Sequence, residues 1–238
     1  MLAGMCGTEN KVGATMIAFQ SVAHDYGGGP LFGNATLTLE KGSFHFLTGP
    51  SGAGKSTFLK LCYGELQPTS GSINLLGQDM AAMSRDDLAR TRQRIGIVHQ
   101  DCQFLDHLTV EQNVALPLSV TGRAVSDDNL ADLLAWVGLA GQARALPPTL
   151  SGGERQRTAL ARAIIASPEV LLADEPTGNL DWDMSQRLVS LMIELNRMGT
   201  AVLIATHDMN LIRFVKTQVS ARVLRIARGE VQTAGADL

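Results

Sequence analysis

Gly49-Pro50-Ser51-Gly52-Ala53-Gly54-Lys55-Ser56-Thr57 is the stretch of this 238-residue chain best equipped to do chemistry. It fills the spacing G-x-x-x-x-G-K-[ST] completely, after an apolar run (Phe44 to Leu47) and before an expected helix. Glycines at 49, 52 and 54 let successive backbone N–H groups turn inward around a phosphate, and the helix N-terminus adds partial positive charge. Lys55 is placed to reach β- and γ-phosphates, and the Ser56 hydroxyl to hold Mg²⁺. A glycine-rich turn with an incidental lysine is the bland alternative, and the strand–loop–helix context argues against it.

A second group of candidates closes the apolar run Val170-Leu171-Leu172-Ala173 with two carboxylates, Asp174 and Glu175. Side chains alternate along a strand, so neighbouring carboxylates can serve different tasks. Asp174 is expected to bind Mg²⁺ and Glu175 to polarise an attacking water as general base. In isolation such a pair is more often a turn cap; beside a phosphate loop it reads as hydrolytic machinery.

Ser151-Gly152-Gly153-Glu154 forms a third group, at the start of another expected helix. A serine and two glycines there make a second N–H-rich, anion-seeking helix end. An ordinary serine N-cap would leave the same trace.

Elements must hold these groups. Strand-like runs at 16–22, 35–40 and 44–48 surround the turn Gly27 to Pro30, and a helix is expected from Lys55 to Tyr63, broken by Gly64 and Pro68. A strand at 72–76, a charged helix at 84–94 and the strand 95–98 follow. Leu130, Leu133, Leu134 and Val137 recur at helical spacing inside 101–150, marking a small helical lobe that ends at Pro147-Pro148. From 151 onward helices (to 166, 183–198, 208–216) alternate with strands (169–173, 200–205), and a short β pair around Arg228-Gly229-Glu230 closes the chain. Alternation of this kind implies a largely parallel sheet covered on both faces.

The bulk numbers bound the function. Hydrophobic residues make up 45% of the chain, yet no stretch approaches the roughly 18 apolar residues of a membrane span. A net charge of −3 gives no footprint for a nucleic acid, and the arginines at 85, 90, 92 and 94 alternate with Asp86 and Asp87 as a solvated helix face does. Cys6, Cys62 and Cys102 fit no metal or disulfide pattern and suit a reducing compartment, with Cys62 read as a small buried hydrophobe. Residues 1–15 are polar and glycine-rich, read as a disordered leader, and lack the apolar core of a signal peptide.

Leu150 to Gln156 resembles the signature motif of the ATP-binding-cassette family, and residues from about 16 to 232 follow that family's order. The resemblance implies an α/β phosphate-loop nucleotide-binding fold, with an N-terminal antiparallel β subdomain and an inserted helical subdomain at about 101–165. It assigns Tyr26 to adenine stacking, Gln100 to Mg²⁺ contact and coupling to a membrane partner, Asn179-Leu180-Asp181 to a loop crossing a dimer interface, and His207 to the γ-phosphate. It also implies that Ser151, Gly152 and Gly153 of one subunit touch ATP held by the phosphate loop of another, in a homodimer. His99 stands before Gln100 where the family commonly has Phe. Four phrases, Phe46 to Thr57, Asn113 to Leu118, Leu171 to Asp181 and Leu203 to Asp208 with the preceding Asn196-Arg197, are closest to the family's bacterial cell-division branch. That branch works peripherally on the cytoplasmic face of the inner membrane with an integral membrane partner. Lipoprotein-releasing or macrolide-type exporter ATPases are the alternative.

Overall fold

The computed structural model describes residues 14–27, 29–124, 126–178 and 180–233. Strands β1 (Thr15–Asp25), β2 (Pro30–Glu40) and β3 (Phe44–Thr48) lead into helix α1 (Lys55–Cys62). β4 (Ser70–Leu75), β5 (Gln78–Asp79), α2 (Arg85–Arg92) and β6 (Ile95–Val98) come next. Helices α3 (Val110–Val120), α4 (Asp127–Trp136) and α5 (Gly152–Ile164) follow without an intervening strand. The chain then alternates through β7 (Val170–Asp174), α6 (Trp182–Arg197), β8 (Ala201–Ala205) and α7 (Met209–Lys216), and ends with β9 (Ala221–Ala227) and β10 (Glu230–Thr233).

The strands form one hydrogen-bonded sheet in the order β5-β4-β1-β2-β10-β9-β3-β8-β7-β6. Its half from β9 to β6 is parallel, whereas β1, β2, β4 and β5 pair antiparallel. Both characters expected from the sequence are present, joined through the β9–β10 hairpin.

Every residue of β3 and β8 is buried, as strands covered on both faces require. Alternation decides what each residue meets. Leu47, Leu172 and Leu203 point into the cluster under α1, while Phe46, Leu171, Val202 and Ile204 point into the cluster under α5, α6 and α7. The period of two therefore turns Asp174, two residues beyond Leu172, towards the α1 side of the sheet.

Val110, Val114, Leu134, Val137, Leu139 and Ala161 build a separate apolar cluster from α3, α4 and α5. Leu134 and Val137, singled out by their spacing, are in it. Among the described residues no helix is long and apolar enough to cross a membrane.

Several boundaries differ from the sequence reading. Thr15 already pairs with Glu40, and the Ala14 carbonyl accepts from Lys41 N, so the fold begins inside the stretch read as leader. Residues 1–13, with Cys6, lie outside the described residues. β9 and β10 form the expected pair around Arg228-Gly229-Glu230, but β9 is seven residues long and also runs beside β3, and β1 and β2 each run for 11 residues. Arg85, Arg90, Arg92 and Arg94 are all exposed, as a solvated face requires, and Arg92 in addition donates to the carbonyls of Tyr63 (2.9 Å) and Gly64 (2.6 Å), capping the end of α1. Cys62 is fully buried, and burial pushes its thiol pKa up.

Candidate active site

Gly49 to Gly54 form the loop between β3 and α1, and the glycines at its two ends are required by space. A Cβ at Gly49 would stand 2.8 Å from the Ile226 carbonyl oxygen, and one at Gly54 (φ 98°) 2.8 Å from the Leu31 side chain. The loop closes on itself where Ala53 N donates to the Pro50 carbonyl at 3.1 Å. No side chain caps α1, so its leading N–H groups remain available to a ligand.

A cavity of about 680 Å³ opens over this loop. Tyr26, Ser51, Gly52, Gly54, Lys55, Ser56 and Thr57 line it from one side, and Gln100, Asp174, Glu175 and His207 from the other. Four separate segments of sequence therefore converge with the phosphate loop on one space. Leu31 and Gly178 also line it. Neither was legible beforehand, since one is an ordinary apolar strand residue and the other a glycine in a turn.

Lys55 Nζ donates to the Gly49 carbonyl at 3.1 Å and the Pro50 carbonyl at 3.5 Å, and lies 3.6 Å from Glu175 Oε1. His207 Nδ1 is 2.9 Å from the same Glu175 oxygen. Glu175 is thus held between two basic groups, one from α1 and one from the segment after β8. Its backbone is left-handed (φ 43°), which costs about 1–3 kcal/mol for a residue with a side chain. The turn is pinned by Glu175 N donating to the Ala205 carbonyl at 2.9 Å and Gly178 N donating to the Glu175 carbonyl at 3.2 Å.

Asp174 has a different environment. Its Oδ1 is buried with no hydrogen-bond partner. Burial raises its pKa above the usual carboxylate value, the Glu175 charge adds to that, and a hydrogen bond with Ser56 works the other way. An orphaned buried acceptor beside a serine hydroxyl suits a hard cation with oxygen ligands. Among the described residues no cluster of three or more His, Cys, Asp or Glu could hold a metal by itself. A cation here would take the rest of its shell from phosphate and water, as Mg²⁺ does.

Tyr26 is 65% exposed at the cavity rim. Its hydroxyl lies 3.2 Å from Thr57 Oγ1, and its ring meets His24 edge-on at 4.7 Å. An exposed ring fixed at its edge and its tip offers a flat face for stacking.

Ser151, Gly152, Gly153 and Asp181 are not among the residues lining this cavity. Ser151 caps α5 in a reciprocal box: its hydroxyl donates to Glu154 Oε2 at 2.7 Å, its N–H to the same oxygen at 2.8 Å, and Glu154 N to Ser151 Oγ at 3.4 Å. Those hydrogen bonds hold the Glu154 carboxyl below its usual pKa. Gly153 is buried where a Cβ would come within 2.9 Å of the Met184 side chain, so it lets α5 approach α6. Asp181 caps α6 by accepting from Met184 N at 2.8 Å, and Asn179 lies outside the described residues.

Residues 32–178 match the family model described as ABC transporter. The chain belongs to that family and is an ATPase of its ATP-binding-cassette type. The cell division ATP-binding protein FtsE of Haemophilus influenzae is 46% identical over 202 residues, 83% of this chain and 93% of that protein. FtsE of Escherichia coli K12 is 43% identical over 220 residues, 91% of this chain and 97% of that protein. The dimeric ATP-binding cassette MJ0796, solved in a post-hydrolysis state bound to ADP and Pi, superposes with a TM-score of 0.82 at 31% identity, covering 92% of this chain and 98% of that one.

Proposed function

We propose that the chain is the ATP-hydrolysing subunit of an FtsEX-like complex, acting in bacterial cell division by driving conformational change in an integral membrane partner resembling FtsX. That partner in turn regulates cell-wall hydrolysis outside the membrane. The chain works peripherally on the cytoplasmic face of the inner membrane, as a homodimer with ATP at the interface. Similarity to FtsE proteins over nearly their full length supports this branch over exporter ATPases.

The single observation that carries the enzymatic part is the convergence of Lys55, Asp174, Glu175 and His207 on the glycine loop. Gly49 to Thr57 bind the phosphates through backbone N–H groups, and Tyr26 stacks on the base. Lys55 leaves the Gly49 and Pro50 carbonyls and Glu175 for the more highly charged phosphates. Glu175, freed from Lys55, accepts a proton from the attacking water. His207, whose side chain is 74% exposed, keeps its contact with Glu175 and reaches for the γ-phosphate. Ser56, Asp174 and Gln100 would hold Mg²⁺, which when bound neutralises charge on the phosphate oxygens. Ser151, Gly152 and Gly153 act on the nucleotide of the opposite subunit, and Asp181 crosses the interface beside them; the dimeric form of the MJ0796 cassette supports this arrangement.

Co-purification of the full chain with the membrane protein encoded beside it, followed by ATPase assay of the pair, tests the reading. Capture of a four-span protein with a modest external domain, and turnover that depends on it, is the expected result. Pairing with a large exporter domain or its adaptor would overturn the cell-division assignment.

A further inference from the structure

The segment between β6 and α3 has no regular structure from residue 99 to 109, yet it is densely fastened. Its second half is held by Asn113, which is fully buried. Asn113 Oδ1 accepts from Leu105 N at 2.9 Å, and Nδ2 donates to the carbonyls of Leu105, Leu108 and Thr109, each at 3.0 Å. Its first half is held by α5. Arg155 donates to the Cys102 carbonyl at 2.9 Å and to the Pro147 carbonyl at 3.0 Å. Arg162 donates to the Gln103 carbonyl at 2.7 Å.

Both guanidinium groups also lie over the Phe104 ring, Arg155 at 5.2 Å and Arg162 at 4.8 Å from its centroid. Seven residues are close to two helical turns, so one face of α5 presents both arginines to the loop. Burial pushes the Arg162 pKa down. A desolvated guanidinium gains most from an aromatic face and a carbonyl, the two partners it has here.

Consider the two ends that this contact joins. Gln100 lines the phosphate cavity, four residues before Phe104. Ser151 caps the same helix that carries Arg155, four residues further on. We propose that Phe104, engaged by Arg155 and Arg162, is a clamp that makes the Gln100 loop and α5 move together. It thereby keeps Gln100 in register with Ser151 when a nucleotide is enclosed between two copies of the chain. Phe104, Arg155 and Arg162 are positioning residues, acting through Gln100. The inference rests on the ATP-closed homodimer of the proposed function.

The test uses the full chain carrying Glu175→Gln, in which ATP is expected to accumulate the closed dimer, read by light scattering across an ATP titration. Phe104→Leu keeps an apolar side chain and removes the ring face. It should raise the ATP concentration for half-dimerisation about tenfold, while trinitrophenyl-ATP binding to the monomer moves by less than about twofold. Phe104→Tyr keeps the ring and should restore dimerisation to within about twofold of Phe104. On a Gln100→Ala background, Phe104→Leu should add less than about twofold, because the positioned group is gone. Unchanged dimerisation in Phe104→Leu, an equal loss in Phe104→Tyr, or full additivity with Gln100→Ala would each overturn the clamp. If the Glu175→Gln chain itself fails to dimerise with ATP, the proposed function falls and the clamp with it; dimerisation that ignores Phe104→Leu removes the clamp alone.

Discussion

The chain contains two helix N-termini built from serine and glycine, at α1 and at α5, and their surroundings are opposite. At α1 no side chain caps the helix, and Lys55, Asp174, Glu175 and His207 gather around the open end. At α5 the end is closed by Ser151 and Glu154, which satisfy each other. One end has all the chemistry and leaves its donors open. The other has a serine hydroxyl already engaged and no carboxylate-and-lysine cluster lining the same cavity. The difference teaches that Ser151 can serve a nucleotide only if the nucleotide is brought to it from elsewhere. In the proposed homodimer a second copy of the chain would supply one, and about 0.5–2 kcal/mol of capping is what the Ser151 hydroxyl would exchange for a phosphate contact.

The comparison can be broken first at α1. Lys55→Ala should cut turnover by about a thousandfold or more, with nucleotide binding weakened as well, because the ammonium is lost from where charge develops. Turnover within tenfold of wild type in a phosphate-release assay would remove Lys55 from the machinery. At α5, Ser151→Ala should lower turnover about a hundredfold while binding of ATP to the monomer changes by less than about twofold. Loss of binding in the monomer would mean that Ser151 belongs to the cavity of its own chain after all.

Smaller effects separate roles within the α1 site. Tyr26→Ala should weaken ATP affinity by about tenfold in a fluorescence titration and leave the rate at saturating ATP nearly unchanged, since stacking is worth ~1–3 kcal/mol and is made equally in ground and transition states. The smallest effect concerns stability. Because the Asp174 pKa is raised in the fold, the ionised form is disfavoured there relative to the unfolded chain. The penalty is absent below the unfolded value of 3.8 and grows as pH rises through the folded value. Asp174→Asn should therefore raise Tm without nucleotide by a few degrees at neutral pH and show no gain in acid. An unchanged or lowered Tm at neutral pH would show that Asp174 carries no burial cost.

How much of this was legible in the sequence differs between the two helix ends. The phosphate loop and the carboxylates after β7 were readable because their chemistry is local. Glycine, lysine and serine at fixed offsets, and an apolar strand ending in Asp174 and Glu175, state their purpose within a few residues. The left-handed turn at Glu175, and its suspension between Lys55 and His207, were not readable. They depend on β3, β7 and β8 lying side by side, a matter of long-range pairing. Likewise the seven residues of β9 carry no turn chemistry to announce a strand inserted beside β3. Ser151 was legible as a cap or as an anion site, and one chain shows it acting as the cap. The exposed arginine face of α2 was legible, but the bonds Arg92 makes were not, because its partners, the carbonyls ending α1, lie 28 and 29 residues away.

The most direct test of the central claim mixes two inactive chains. A Lys55→Ala chain has a crippled α1 end and an intact α5 end; a Ser151→Ala chain is the reverse. In a mixed dimer one site then combines the intact α1 end of the second chain with the intact α5 end of the first. Equimolar mixing should restore about a quarter of wild-type ATP turnover, because half the dimers are mixed and each has one of two sites whole. Turnover no higher than the average of the two separate variants would contradict a site shared between copies.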